Sequence, residues 1–120
     1  MKPILHEKVL ESDVDGVIIA IKNGADLNQL DEIGNSALHW AVMRGDIEIV
    51  SLLLEAGANP NIISSDGYTP KWSAVDFSLT EIIDILNKYG GKVITDDKFD
   101  RTSWSVFKGV IGESLPEEEN

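Results

Sequence analysis

The apolar positions of this chain come in blocks at helical spacing. Between Ile47 and Ala56, the residues Ile49, Val50, Leu53 and Leu54 fall on one face of a helix. Asp46 stands where a helix N-cap accepts from an unused backbone N–H, and Gly57 supplies the C-terminal cap. Just ahead of this block, Ser36 caps a shorter helical run from Ala37 to Met43, which Gly45 stops. Gly34-Asn35 before it and Asn59-Pro60-Asn61 after it are turns. The stretch predicts a helix, a tight turn, a second helix and an outward turn.

That unit repeats with a fixed period. Asn23-Gly24-Ala25-Asp26-Leu27-Asn28 and Ala56-Gly57-Ala58-Asn59-Pro60-Asn61 are one phrase, 33 residues apart. The same spacing relates Gly57 to Gly90, Gly34 to Gly67 and Leu5-His6 to Leu38-His39. Val17, Val50 and Ile83 share one column, and Ala20, Leu53 and Leu86 another. Neither helix of a unit can bury its apolar face alone, whereas stacked units bury those faces against each other. Three units are expected, at 4–30, 31–63 and 64–94, with helix pairs at 4–22, 36–56 and 69–89. The first lacks the leading turn, as a terminal unit would. The third drifts: Asp84 and Asn87 roughen its second helix, and Lys92-Val93-Ile94 is an extended run. Extending the columns sets Thr102 where Ser36 and Thr69 stood, with Trp104, Phe107, Val110 and Ile111 following at helical spacing. A capping segment at 95–112 is therefore expected, with a closing helix near 102–112 and Phe99 beneath it. This makes 1–112 one domain and 113–120 a solvated tail.

Gly34-Asn35-Ser36-Ala37-Leu38-His39-Trp40-Ala41 resembles the G-x-T-P-L-H-x-A signature of ankyrin repeats. Gly67-Tyr68-Thr69-Pro70-Lys71-Trp72-Ser73-Ala74 is a looser copy that keeps Thr-Pro and loses Leu-His. The phrase from Gly45 to Asn61 resembles the family's second helix and following turn. The resemblance covers about residues 4–94 and implies an all-α ankyrin-repeat solenoid of helix-turn-helix units. It further implies that His39 bonds across the repeat junction, with Ser36 as its local partner. In that family, turn tips and first helices form the recognition surface. The implied contact positions are Asp31, Glu32, Ile33 and Asn35 on one tip, with Met43 and Arg44 at the first helix's end. In the next unit they are Ser65, Asp66, Tyr68, Asp76 and Phe77. Tyr68 and Phe77 have two open roles, partner anchor or local packing, because aromatics serve both. Trp72 is open in the same way, while Trp104 and Phe107 are expected in the core of the cap and Trp40 half in the core.

Charge narrows the partners. The 120 residues carry 21 acids and 10 bases, a formal net charge of −11. Four of the acids stand in 113–120, leaving −7 on the rest. From Asn23 to Pro70 there are seven acids, Asp26, Asp31, Glu32, Asp46, Glu48, Glu55 and Asp66, against one base, Arg44. Such a surface is a poor match for nucleic acid or anionic membrane, both of which draw on clustered Lys and Arg. A basic protein partner is the expectation, with solubility alone as the bland alternative. There are no cysteines, which removes disulfides, thiol catalysis and Cys-based zinc sites. No apolar run approaches the roughly 18 residues of a membrane span, and Lys2, Glu7 and Lys8 interrupt any signal-peptide core. Cytoplasmic location and a monomeric state are expected.

Three patterns imitate chemistry. Glu11-Ser12-Asp13-Val14-Asp15-Gly16 opens like a calcium loop, yet its twelfth position is Lys22 where a bidentate Glu is required. Asp13 also stands in the column of the helix-capping Asp46. Asp96, Asp97 and Asp100 form a second acidic cluster without a nearby His. Gly91-Lys92 lacks the glycine and hydroxyl of a phosphate loop, having Leu86 and Val93 instead. His6 and His39 share a column, and two His without a third ligand make a poor zinc site. The expected function is thus a non-enzymatic protein-binding module, without cofactor or metal, that occludes or holds its partner. A small inhibitor of the antitoxin or immunity type is one form. An adaptor subunit, or a metal-binding protein using the carboxylates of 11–15 or 96–100, are the alternatives.

Overall fold

The computed structural model describes residues 3–101, and the expected closing helix near 102–112, with Trp104 and Phe107, and the tail at 113–120 lie outside them. Among the described residues six helices follow one another: α1 Ile4–Leu10, α2 Val14–Lys22, α3 Ala37–Met43, α4 Ile47–Glu55, α5 Pro70–Asp76 and α6 Thr80–Lys88. Among the described residues the only extended pairing is a single bridge between Tyr68 and Thr95. Each first helix packs on its own second helix. The first helices stack in a row, α1 on α3 on α5, and the second helices in a parallel row, α2 on α4 on α6.

The core lies between these rows. Leu5, Val9, Leu38, Val42, Ile49, Val50, Leu53, Ile82 and Leu86 are all buried, each recurring at the repeat period or one turn from a residue that does. Every such side chain contributes about 1.5–3 kcal/mol by leaving water. Seven-residue helices such as α1 and α3 are far below the length that is stable alone, so stacking holds them.

Caps set the helix boundaries. The Asp13 carboxylate accepts from the Gly16 amide (2.9 Å) and opens α2, and Asp46 accepts from Ile49 (3.2 Å) and opens α4. The tight turn between paired helices needs one left-handed residue, and Ser12, Gly45 and Ser78 supply it in a single column with φ of 55°, 70° and 59°. Successive outward turns are laced by asparagines: Asn28 Oδ1 accepts from the Asn59 amide (2.8 Å), and Asn61 Oδ1 from the Lys92 amide (2.7 Å).

Candidate partner-binding surface

The histidine column fixes where the turn tips sit. His39 Nε2 lies 2.9 Å from the Tyr68 carbonyl oxygen, and His6 Nε2 lies 3.0 Å from that of Asn35. A carbonyl only accepts, so both Nε2 atoms carry the hydrogen and donate. His39 Nδ1 is then an acceptor, placed to receive the Ser36 hydroxyl (2.8 Å) and the Ser36 amide (3.3 Å). The Ser36 oxygen accepts in turn from the His39 amide (3.1 Å), closing the cap of α3. Each imidazole thereby bolts one unit's first helix to the next unit's tip. Burial, the largest influence, pushes the His39 imidazole down to about 4. In the third unit Trp72 holds the histidine column, and Thr69 does the stitching. Its Oγ1 donates to the Lys92 carbonyl (2.6 Å) and accepts from the Ile94 amide (3.1 Å).

The first tip, 31–35, is rigid because Asp31 organises it. One carboxylate oxygen accepts from the amides of Ile33 (3.1 Å), Gly34 (3.0 Å) and Asn35 (3.0 Å). The other accepts from the Trp40 indole N–H at 2.7 Å. Burial alone would push this carboxyl up. The Asn35 amide, the Trp40 indole, the nearby His6 and the Gly34 amide outweigh it and hold the pKa below the ordinary carboxylate value. Gly34 has φ of +102°, and a Cβ there would run into the Ser65 side chain. The Ser65 amide donates to the Gly34 carbonyl (2.9 Å), so adjacent tips are joined directly. The Asp96 amide does the same to Gly67 (2.8 Å).

Nine of the eleven expected contact residues separate into two groups. Glu32, Ile33, Arg44, Ser65 and Asp66 are exposed, and Ile33 keeps 52% of its surface in water. Asn35, Met43, Tyr68 and Phe77 are buried, at 2%, 4%, 1% and 7% exposure. Tyr68 therefore takes the packing role of its two open roles. Its ring stands edge-on to His39 (5.4 Å between centroids) and meets Trp72 and Phe99. Burial pushes its hydroxyl pKa up, and the Asp66 charge adds to that. Asp31, an implied contact position, is half-buried and accepts from its own loop and from Trp40. Asp76 has a side chain only 8% exposed, 3.6 Å from the Arg101 guanidinium.

A family model for ankyrin repeats, in three copies, matches residues 5–97. The chain belongs to the ankyrin repeat family. Among solved structures it resembles the ankyrin repeat domain of Bcl-3, a member of the IkappaB protein family, at 30% identity and a TM-score of 0.71. That match covers 73% of this chain and 39% of the Bcl-3 chain, so this chain spans well under half of that domain. No curated protein sequence matches. Ankyrin repeats are protein–protein interaction modules, and this one has their all-helical architecture. No helix among the described residues is long and apolar enough to cross a membrane.

Two features of this ankyrin surface escaped the sequence reading. One is the Trp40–Asp31 bond; nothing in the spacing of nine residues announces it. The other is the asparagine lacing, whose signal was present, since Asn28 and Asn61 are 33 residues apart. The capping role expected for Asp13 is the one the structure shows, with the carboxylate engaged at the start of α2.

Proposed function

We propose that this chain is a non-enzymatic module that binds a basic protein through the exposed edge of its turn tips, with Glu32, Ile33, Ser65 and Asp66 as the contact set and Arg44 beside them. The observation that supports this most is the combination of rigid tips and exposed side chains. The Asp31 network and the joined tips hold the backbone in place before binding, so little entropy remains to be lost there. Glu32 and Asp66 give the edge its negative sign, and Ile33 gives it an apolar contact. Binding occludes the partner, as an inhibitor of the antitoxin or immunity type would; an adaptor would leave room for a third chain. The setting we propose is the cytoplasm, with the free protein a monomer.

The test is affinity capture of the tagged full chain and of a Glu32→Lys, Asp66→Lys variant from the protein's own source. A co-purifying protein with a basic binding face, lost in the variant, supports the proposal. A partner with an acidic face, or one retained equally by the variant, refutes it. The size of the complex then separates an inhibitor from an adaptor.

A further inference from the structure

The N-terminal end of the stack carries an apolar hollow that the turn tips do not use. Ile4 and Ile19 are 52% and 57% exposed. With Ala20 and Ala25 they line a depression of about 410 Å³, which continues past Ile4 and Ala25 into a second of about 610 Å³. Repeat equivalence shows what shape this surface takes. Ile4 shares a column with Ala37 and Pro70, and Ala20 with Leu53 and Leu86. Those equivalents are buried inside the stack, where helix packs on helix. Around Ile4 and Ala20 the end face is therefore the surface that receives a helix elsewhere in the molecule, while Ile19 shares its column with Leu52 and Ile85, which are partly buried.

Its rim has a sign. Glu7, Asp13, Asp15 and Asp26 border the two depressions, against Lys8 among the described residues. Lys8 is already engaged, with Nζ 3.5 Å from Glu11 and 3.9 Å from Asp13. Its stem lies over Gly16, where a Cβ would come within 2.7 Å of Lys8 Cδ. The inner units have Ala41 and Ala74 in the Lys8 column, and Ile49 and Ile82 in the Gly16 column. The end is thus altered from the form that accepts another unit of this kind. A second copy stacked end to end about a twofold axis would set the acidic rims against each other.

We propose that this end face docks one amphipathic helix of a basic protein, its apolar side on Ile4, Ile19 and Ala25 and its Lys and Arg toward Glu7, Asp15 and Asp26. The mode is a helix laid in a groove, with anchors at i, i+3, i+4 and i+7. It is a second surface, at the end of the stack rather than along the tips, and does not depend on the tip proposal.

The probe is a synthetic helical peptide with Leu at those four positions and Lys elsewhere, beside a scrambled peptide of the same composition. Both are titrated into the full chain by calorimetry and followed by amide chemical shifts. The ordered peptide saturates and shifts the amides of Ile4, Ile19 and Ala25. Ile19→Lys weakens it at least about tenfold, and Ile33→Lys changes it by less than about twofold. Ile4→Ser gives the same direction and covers the case that Ile19→Lys fails to fold. Equal binding of the scrambled peptide, or an equal loss in Ile33→Lys, overturns the proposal. So does a dimer in sedimentation that Ile4→Ser dissolves, which would make the occupant a second copy.

Discussion

Acid should loosen this protein at His39 before it touches any carboxylate. The imidazole is fully buried, donates from Nε2 to Tyr68 and receives Ser36 at Nδ1. Protonating Nδ1 would abolish that acceptor and bury a charge, and burial accordingly holds the pKa at about 4, below the ordinary histidine value of 6.5. Between those two values the unfolded chain binds a proton that the folded chain refuses. Stability therefore rises with pH across that window, is complete above about 6.5, and is lost as pH falls toward about 4. At about 1.36 kcal/mol per unit, the difference between 6.5 and about 4 corresponds to roughly 3 kcal/mol. A small domain has only about 5–15 kcal/mol in total, so the loss is large. Asp31 acts in a separate range: its pKa is lowered, so its contribution is intact above the ordinary carboxylate value of 3.8 and disappears only below it.

Urea unfolding followed by tryptophan fluorescence, at a series of pH values from about 7.5 down to about 4, reads this directly. A His39→Gln variant keeps an amide that can donate to Tyr68 and carries no titrating ring. It should start less stable and decline less steeply across the same window. The difference between the two curves isolates His39 from His6, which remains in both. Parallel curves for the two proteins would refute the reasoning.

Four further outcomes follow from the geometry. Trp40→Phe removes the indole donor at 2.7 Å from Asp31, and urea denaturation should show a loss of about 1.5–3 kcal/mol, the usual size for a hydrogen bond to a charge. Gly34→Ala combines a positive φ with a collision against Ser65, whereas Gly57→Ala has the positive φ and open space; the first should cost clearly more than the second, which should lose about 1 kcal/mol. Ser78→Gly relieves a left-handed serine and should raise stability by up to about 1 kcal/mol, readable as a higher urea midpoint. Glu32→Lys with Asp66→Lys should slow association with the basic partner, most at low salt, and leave stability within about 0.5 kcal/mol.

The helices were legible because one period ran through them. The expected pair at 36–56 is found at Ala37–Met43 and Ile47–Glu55, with Ser36 and Ala56 as the flanking caps. Ser36 as the partner of His39 was equally legible, since a cap and its third residue are neighbours in sequence. The tips were less so. Tyr68 follows Gly67 and resembles a loop apex, but the pairing of Tyr68 with Thr95 and the packing of Phe99 draw it inward. That burial depends on a segment some thirty residues on, in a unit whose extended run departs from the repeat. The engagement of Asp31 was hidden for a different reason. A carboxylate at the start of a turn is a solvated charge or a turn organiser according to whether donors converge on it, and here one donor is an indole on the following helix.

The same distinction changes what the acidic stretch can do. Of its seven carboxylates, Asp31 and Asp46 are engaged by their own backbone, and Asp26 accepts from the Asn28 amide. Glu48 and Glu55 are exposed on α4, in the row of second helices. Only Glu32 and Asp66 then stand exposed on the tips, which is a modest field once salt screens it over about 8–10 Å. Two exposed charges can steer and orient a basic partner, yet rim charges alter the rate of encounter more than the lifetime of the complex. A long-lived complex must therefore draw on apolar contact. On the tips that contact centres on Ile33, because Tyr68 and Phe77 are already spent inside the fold. Replacing Ile33 with Ser should thus speed dissociation while leaving the salt dependence of association unchanged, the opposite signature to the charge reversal at Glu32 and Asp66. If both variants altered the same rate constant, the division of labour between charge and apolar surface argued from these tips would be wrong.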